Sequence, residues 1–193
     1  IAAALTTGDT MSHTIKSTAV ATLGATDETI APKGAADDIP GALGAASGMQ
    51  WIPEQTVAQV EAATEGSDLV DGITGAIVEL VAVQAPAQGQ NEPSIVLFAG
   101  DPSRMDGFSQ IRGSDGRELS LADLRPAEVY LNTKAAKELR VEAGDRVVVY
   151  AGTDPVPVKV RDVVRFDGAI TADASVLVSL AQASWRERRG AVA

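Results

Sequence analysis

The chain has 193 residues, of which 45% are hydrophobic and 22% charged, and its formal net charge is −10 at pH 7. These values exclude an intrinsically disordered chain, and a domain of this length buries enough surface to fold without disulfides or a structural metal. The absence of cysteine and the single histidine exclude disulfides, thiolate metal sites and His-rich metal centres. Nucleic acid is not an expected partner, because phosphate binding needs a basic face and this surface is acidic.

The charges are unevenly distributed along the chain. Residues 26–79 hold Lys33 against ten acidic side chains, whereas residues 134–165 carry seven of the sixteen basic ones. Such asymmetry can orient a protein at a charged surface, although solvated helix faces explain it as well.

The first 24 residues have the pattern of an apolar stub followed by a helix. Ile1–Leu5 is apolar, and from Thr6 to Leu23 apolar side chains recur near helical spacing, with Gly24 where a helix-ending glycine belongs. The stub is either the end of an excised transmembrane helix or the start of a buried one. No stretch of the chain reaches the roughly 18 apolar residues that span a bilayer.

The rest of the chain alternates strands with short helices. Residues 33–50 are rich in Gly, Ala, Asp and Pro and predict a mobile loop, after which Pro53 opens a helix that stops at Gly66. Residues 84–93 are a polar linker, typical of a hairpin or a crossing between lobes. Further helices are predicted over Lys134–Leu139, capped by Asn132 or Thr133, and over Leu180–Arg189. The predicted strands are Gly72–Val83, Ser94–Phe98, Ala127–Leu131, Arg146–Tyr150, Val156–Phe166 and Ser175–Val178.

A search for catalytic or binding chemistry finds turn residues and solvated side chains. The glycine pairs within residues 41–44 and 72–75 lack the fixed pattern and the lysine of a phosphate-binding loop. His13 lies four residues after Asp9, a spacing that favours a local pair on one helix face over a general base. We therefore predict no catalytic residue, no metal site and no cofactor.

One stretch carries a resemblance to a known family. Val129–Leu139, followed by Val141–Val147, reads as a strand, an Asn cap, a small-residue helix ending in Leu, a Gly-Asp turn and a hydrophobic strand. This arrangement resembles the strand–helix–Gly-Asp–strand unit of MacB-type periplasmic core domains in FtsX-like ABC-transporter permeases. Thr7–Met11 and Leu23–Asp27 resemble the region just beyond the first transmembrane helix of these permeases. Val176–Gln182 is similar to their late strand leading into a helix.

The resemblance implies a mixed α/β fold of the α+β class. It assigns residues 1–32 and 127–193 to a porter-like lobe of helices on a mixed sheet, and residues 33–126 to an inserted, β-rich lobe with mobile loops. Gly144 and Asp145 are the expected structural turn. The helix of residues 6–23 is the expected lever between membrane and domain, defined by Asp9, Met11, Ile15 and Leu23.

The resemblance also implies a non-catalytic role outside the membrane. Such domains couple ATP-driven motion of transmembrane helices to a substrate or partner. The expected partners are a cytoplasmic ABC ATPase subunit, reached through the transmembrane helices, and an extracytoplasmic substrate or protein. The full-length protein is expected to be anchored in the cell membrane, with this domain on the extracytoplasmic side. Because the family usually adds another strand after the late helix, the fragment is expected to be incomplete at its C-terminal edge.

A second resemblance stays open. Asn132–Tyr150 also resembles the repeat unit of double-psi β-barrels, which would make the chain a ligand-binding or enzyme domain. The site would then be lined by the Asp101–Met105 turn, Arg161 and Arg165. A barrel of that type has the unit twice, whereas the sequence shows it once.

Overall fold

The secondary structure comes from a computed structural model that describes residues 52–105, 107–108, 110–151, 154–166 and 173–183, with Thr26, Glu28 and Ile30. Strands dominate it, and the few helices are short. In chain order the elements are α1 (Glu54–Thr64), β1 (Ala76–Ala85), β2 (Gln90–Gly100), β3 (Ile111–Gly113), β4 (Glu118–Leu119), β5 (Glu128–Asn132), α2 (Thr133–Leu139), β6 (Arg146–Ala151), β7 (Asp154–Phe166), β8 (Ser175–Ser179) and α3 (Leu180–Ala183). Two 3-10 helices, Pro102–Arg104 and Leu121–Asp123, lie between β2 and β5.

The elements predicted from Pro53 onward are present as far as the structure describes them, with their ends shifted by a few residues. The helix predicted over residues 6–23 and the loop predicted over residues 33–50 lie outside the described residues. The helix after Pro53 ends near Gly66, which has a φ of +79°. The polar linker forms the turn of a β1–β2 hairpin, so the alternative of a crossing between lobes is wrong. The helix predicted over Leu180–Arg189 is described up to Ala183, and its remaining residues lie outside the described part of the chain.

Of the described strands, six close into a barrel in the order β7-β5-β8-β2-β1-β6. The barrel closes because β6 pairs with both β1 and β7. Among these six, β2 with β8 and β5 with β7 are parallel pairs, and the other four pairings are antiparallel. β3 and β4 continue the sheet from the far end of β7.

The barrel contains two units of the same spatial arrangement, of which only one is continuous in sequence. In one, β5 and α2 lead into the β6–β7 hairpin, and β5 is parallel to β7. In the other, β8 and α3 occupy the equivalent places, and β8 is parallel to β2, the second strand of the β1–β2 hairpin. Tyr130 and Leu177 hold the same position in the two units and pair with each other across β5 and β8, as a two-fold axis between the units requires. The doubled unit that the barrel alternative needs is thus present in the topology.

Aliphatic side chains fill the barrel. They alternate with outward-facing residues, and along β1 and β6 the outward-facing residues are partly or fully exposed, which is the pattern of a strand with one buried face. Complete burial of a side chain of this kind stabilises the fold by about 1.5–3 kcal/mol. The interior residues that are at most 3% exposed include Val81, Val83, Ile95, Leu97, Val129, Leu131, Val147, Val149, Val158, Val160, Val176 and Val178.

A second apolar cluster lies on the outside of the barrel. It joins Tyr130, Phe98 and Phe166, the two phenylalanine rings having their centroids 5.5 Å apart. The chain segment between β2 and β5 covers these rings with Ile111 and Leu121. Burial of these apolar side chains stabilises the packing of this segment against the barrel.

Strands from both predicted lobes share the barrel. β1 and β2 come from residues 33–126, and β5 to β8 come from residues 127–193. Their side chains meet in one interior cluster. Sharing a core does not say whether the two segments unfold as one unit, so the division into two lobes stays a prediction.

Candidate functional site

The Gly-Asp turn joins three parts of the barrel. Gly144 has a φ of +101°, a backbone conformation that favours glycine. Its N–H donates to the carbonyl oxygen of Val160 at 2.7 Å, and the N–H of Val160 donates to the carbonyl oxygen of Asp145 at 2.8 Å. The Oδ2 atom of Asp145 accepts hydrogen bonds from the N–H of Glu142 at 2.9 Å and from Nε2 of Gln88 at 3.2 Å. The turn therefore ties α2 and β6 to β7 and to the β1–β2 hairpin.

Asn132 is the junction between β5, α2 and the entry to β8. Its Oδ1 atom caps α2 by accepting from the N–H of Ala135 at 2.8 Å, and also accepts from the N–H of Ser175 at 3.0 Å. Its Nδ2 atom donates to the carbonyl oxygen of Asp173 at 2.6 Å. The side chain is 7% exposed. The sequence indicates the cap, but the contacts with the β8 segment arise only from the pairing of β5 with β8.

An ion pair that the sequence does not indicate links the start of β5 to β7. Nη1 of Arg161 lies 2.9 Å from Oε2 of Glu128. The backbone N–H of Arg125 and the Arg161 guanidinium both donate to this carboxylate and lower the pKa of Glu128. Beside them, burial raises the pKa of Tyr130, whose hydroxyl donates to the carbonyl oxygen of Ser120 at 3.2 Å. Finding this pair from sequence requires the parallel register of β5 and β7.

The residues of the alternative site hold separate partners. Asp101 caps the 3-10 helix through the N–H and hydroxyl of Ser103, and the hydrogen bonds from Ser103 lower its pKa. Arg161 is engaged with Glu128, whereas Arg165 stands directly across from Arg112 on β3. Asp101 and Arg161 therefore have structural partners within the fold, whereas Arg165 faces a like charge.

The predicted lever residues Asp9, Met11, Ile15 and Leu23 lie outside the described residues. Within the described part of the chain, no group of three or more His, Cys, Asp or Glu side chains could hold a metal ion. No helix there is long and apolar enough to cross a membrane. The polar contacts described above join strands, a helix end and turns to one another. These contacts hold the elements rigidly together.

Solved structures that are similar to this chain include the following two. One is the extracellular domain of the noncanonic ABC-type transporter YknZ from Gram-positive bacteria, with 15% identity, a TM-score of 0.49, and coverage of 71% of this chain and 67% of that one. The other is the periplasmic region of MacB from Actinobacillus actinomycetemcomitans, with 15% identity, a TM-score of 0.39, and coverage of 65% and 55%. Both are domains of ABC-type transporters, the kind that residues 129–147 resemble. No family model and no curated protein matches the chain.

Proposed function

We propose that this chain is a non-catalytic extracytoplasmic domain of an ABC-transporter permease. In this proposal it transmits ATP-driven motion of transmembrane helices to a substrate or partner outside the membrane. One observation carries it: the unit of residues 129–147 that resembles those permeases is built into the closed barrel, where its Gly-Asp turn bonds β7 and the β1–β2 hairpin. A filled barrel locked in this way moves as one body and leaves no interior space for a reaction.

The mechanical role requires a stiff path from the membrane to the barrel. We propose the helix of residues 6–23 as that path, with Asp9, Met11, Ile15 and Leu23 on it, and the porter-like lobe as the body that it moves. The partners would be a cytoplasmic ABC ATPase subunit and an external substrate or protein. Membrane anchoring of the full-length protein belongs to the same proposal.

The location can be tested with a single introduced cysteine, because the chain has none. The full-length protein, with any other cysteine replaced, carries Glu118→Cys at an exposed edge-strand position. A membrane-impermeant maleimide should label it in intact cells. Val149→Cys, inside the barrel, is the matched control and should react only after denaturation. Labelling of the Glu118→Cys variant only after cell lysis would contradict the extracytoplasmic location.

The coupling can be tested with the same cysteine in nanodiscs that contain the permease and its ATPase. A fluorophore at position 118 should change its distance to a quencher on the lipid headgroups when ATP is bound. Insertion of two glycines after Ile15 should abolish this change while ATP hydrolysis continues, because the lever loses its stiffness. The same insertion after Gly89, in the β1–β2 turn, is the control and should preserve the change. A fluorophore–quencher distance that does not change on ATP binding in the unmodified protein would contradict coupling.

The doubled unit in the barrel favours one other candidate, a ligand-binding or enzyme domain of the double-psi type. Its site would have to lie outside the filled interior, for example near Arg161 and Arg165. The labelling experiment also tests this candidate. Labelling of the Glu118→Cys variant only after cell lysis would favour it over the extracytoplasmic domain, and labelling in intact cells would disfavour it.

A further inference from the structure

An exposed turn, here called the acidic turn, lies between α1 and β1 and comprises the eight residues from Glu65 to Gly72. Leu69 at its tip is 95% exposed. Ser67 orders the turn. Its Oγ atom accepts from the N–H of Leu69 at 3.3 Å, and its carbonyl oxygen accepts from the N–H of Val70 at 3.4 Å. Burial of this leucine side chain in an apolar docking site would therefore be favourable.

The acidic turn is anchored to the barrel on both sides. Before it, Glu61 of α1 forms an ion pair with Arg104 in the 3-10 helix after β2. At its other end, the ring of Phe108 packs closely on Gly72, the last residue of the turn. A Cβ atom on Gly72 would lie 3.0 Å from Cε2 of that ring. Leu69 is therefore held out from the barrel by contacts at both ends of the segment. Such presentation lowers the entropy cost of binding.

The turn also has a single sign of charge. Residues 61–71 contain four acidic side chains and no basic one. Three of the acids, Glu65, Asp68 and Asp71, surround Leu69 in sequence and are exposed. A complementary surface must therefore combine an apolar patch with basic side chains.

The outer face of β1, β6 and β7 has this combination. At one end Leu80 is 48% exposed, and the half-buried Tyr150 pairs with Ala82 of β1. Next along the hairpin, the half-buried Val148 stands across from the exposed Pro157. Outward-facing apolar side chains on three neighbouring strands form a cluster around Gln84, which stands across from Val148 and accepts a hydrogen bond from the Tyr150 hydroxyl at 3.0 Å. Such a cluster is more than the scattered single residues normal for a surface.

The other end of the same face is basic. Arg146 and Lys159 are exposed and stand directly across from each other on β6 and β7. Like charges in this position destabilise a sheet. The nearest carboxylate on the adjoining strand, Glu128, is engaged by Arg161. Among the described residues neither Arg146 nor Lys159 forms an ion pair, so both can offer positive charge to a partner. Leu80, Val148, Tyr150, Arg146 and Lys159 are here called the basic-apolar face.

We propose that the acidic turn of one copy docks on the basic-apolar face of a second copy, and the reverse, in a two-fold symmetric dimer. Leu69 would lie on the apolar cluster around Gln84, with Asp68 and Asp71 near Arg146 and Lys159. A second copy is the occupant because each chain carries both complementary surfaces, and a reciprocal contact closes the assembly at two subunits. The overall charge of −10 opposes association, so this local complementarity has to overcome it. The inference goes beyond the proposed transport role and stands apart from it.

Sedimentation equilibrium of the 193-residue chain tests the dimer. We expect a concentration-dependent monomer–dimer equilibrium whose dissociation constant rises as salt increases from about 0.05 to 0.5 M, because added ions screen exposed charges. Leu69→Ser should raise the dissociation constant at least about tenfold, since one buried leucine is lost at each of two contacts. Arg146→Glu with Lys159→Glu should raise it by a similar factor.

Two further variants separate specific docking from general charge effects. Arg112→Glu with Arg165→Glu reverses the other like-charge pair on β7, which is outside the face, and should leave the dissociation constant near the unmodified value. Combining Arg146→Glu and Lys159→Glu with Asp68→Arg and Asp71→Arg should restore dimerisation by exchanging the charges of the two surfaces. Circular dichroism melts establish that each variant is folded. A chain that remains monomeric at millimolar concentration, or a dimer that responds equally to the control pair, would overturn the proposal.

Discussion

Gly144 and Asp145 stabilise the same turn by different means. Gly144 contributes its backbone conformation, since a Cβ atom there would meet no other atom within 4 Å. Asp145 contributes its carboxylate, which satisfies the N–H of Glu142 and binds Gln88 of another hairpin. The first contribution depends on φ alone and the second on side-chain contacts.

Gly144→Ala should therefore destabilise the fold through backbone strain alone. At a φ of +101° we expect a loss of about 1–3 kcal/mol in the free energy of unfolding, measured by denaturant titration. Gly89→Ala is the comparison, because that glycine has a φ of +63° and also meets nothing within 4 Å. Its φ lies in the left-handed region that other residues enter for about 1–2 kcal/mol, so we expect the larger loss at Gly144. An equal or smaller loss at Gly144 would show that strain is not its contribution.

The Glu128 carboxylate should make stability depend on pH in the acid range. Hydrogen bonds from the Arg125 N–H and from Arg161 lower its pKa in the folded state below the ordinary value of 4.5. The contribution is complete above that ordinary value and is lost as pH falls through the folded pKa. Glu128→Gln removes this titration, so its free energy of unfolding should fall less steeply below about pH 4.5 than that of the unmodified chain. An unchanged slope in the Glu128→Gln variant would contradict this contribution.

At the scale of elements, α2 depends on one side chain more than on its own sequence. The helix has seven residues, too few to be stable alone, and its Ala135, Ala136 and Leu139 are buried against the barrel. Asn132 connects its first turn to the β8 segment through the three hydrogen bonds described above. Loss of this side chain leaves two backbone N–H groups and one carbonyl oxygen without that partner.

Asn132→Ala should accordingly cost more than an ordinary helix cap. We expect a loss of roughly 2–4 kcal/mol in the free energy of unfolding, because a cap contributes about 1 kcal/mol and buried polar groups are left unsatisfied. Ser120→Ala is the control, since Ser120 caps the 3-10 helix of residues 121–123 through an exposed hydrogen bond and its loss should cost about 1 kcal/mol or less. Similar losses in the two variants would contradict the junction role.

Local features of the site were predictable and distant ones were not. The cap at Asn132, the helix end at Leu139 and the turn at Gly144 are specified within a dozen neighbouring residues, so helix and turn rules reach them. The bond from Gln88 to Asp145 joins residues 57 positions apart. The Glu128–Arg161 pair needs a strand register that no local rule supplies.

At the scale of the whole molecule, barrel closure depends on pairings between distant segments. β1 pairs with β6, and β2 with β8, although loops and other strands separate them in sequence. Alternating apolar residues predict each strand but leave its neighbours undetermined, which is why an inserted lobe and a doubled unit were both compatible with the sequence. The second copy of the unit cannot be recognised from sequence because it is split, with β8 and α3 near the end of the described chain and the β1–β2 hairpin near its middle.

The predicted division at residues 126 and 127 can now be tested through cooperativity. Val160 of β7 is fully buried in the interior, and Val160→Ala should lower the free energy of unfolding by about 2 kcal/mol. If the barrel unfolds as one unit, native-state hydrogen exchange should show the same loss of protection at amides of β1 and β2 as at amides of β5 and β8. An inserted lobe with its own stability would instead keep its protection in β1 and β2. Asn91→Ala, at an exposed position on β2 outside the proposed docking surfaces, should change neither set and so controls for local effects of substitution.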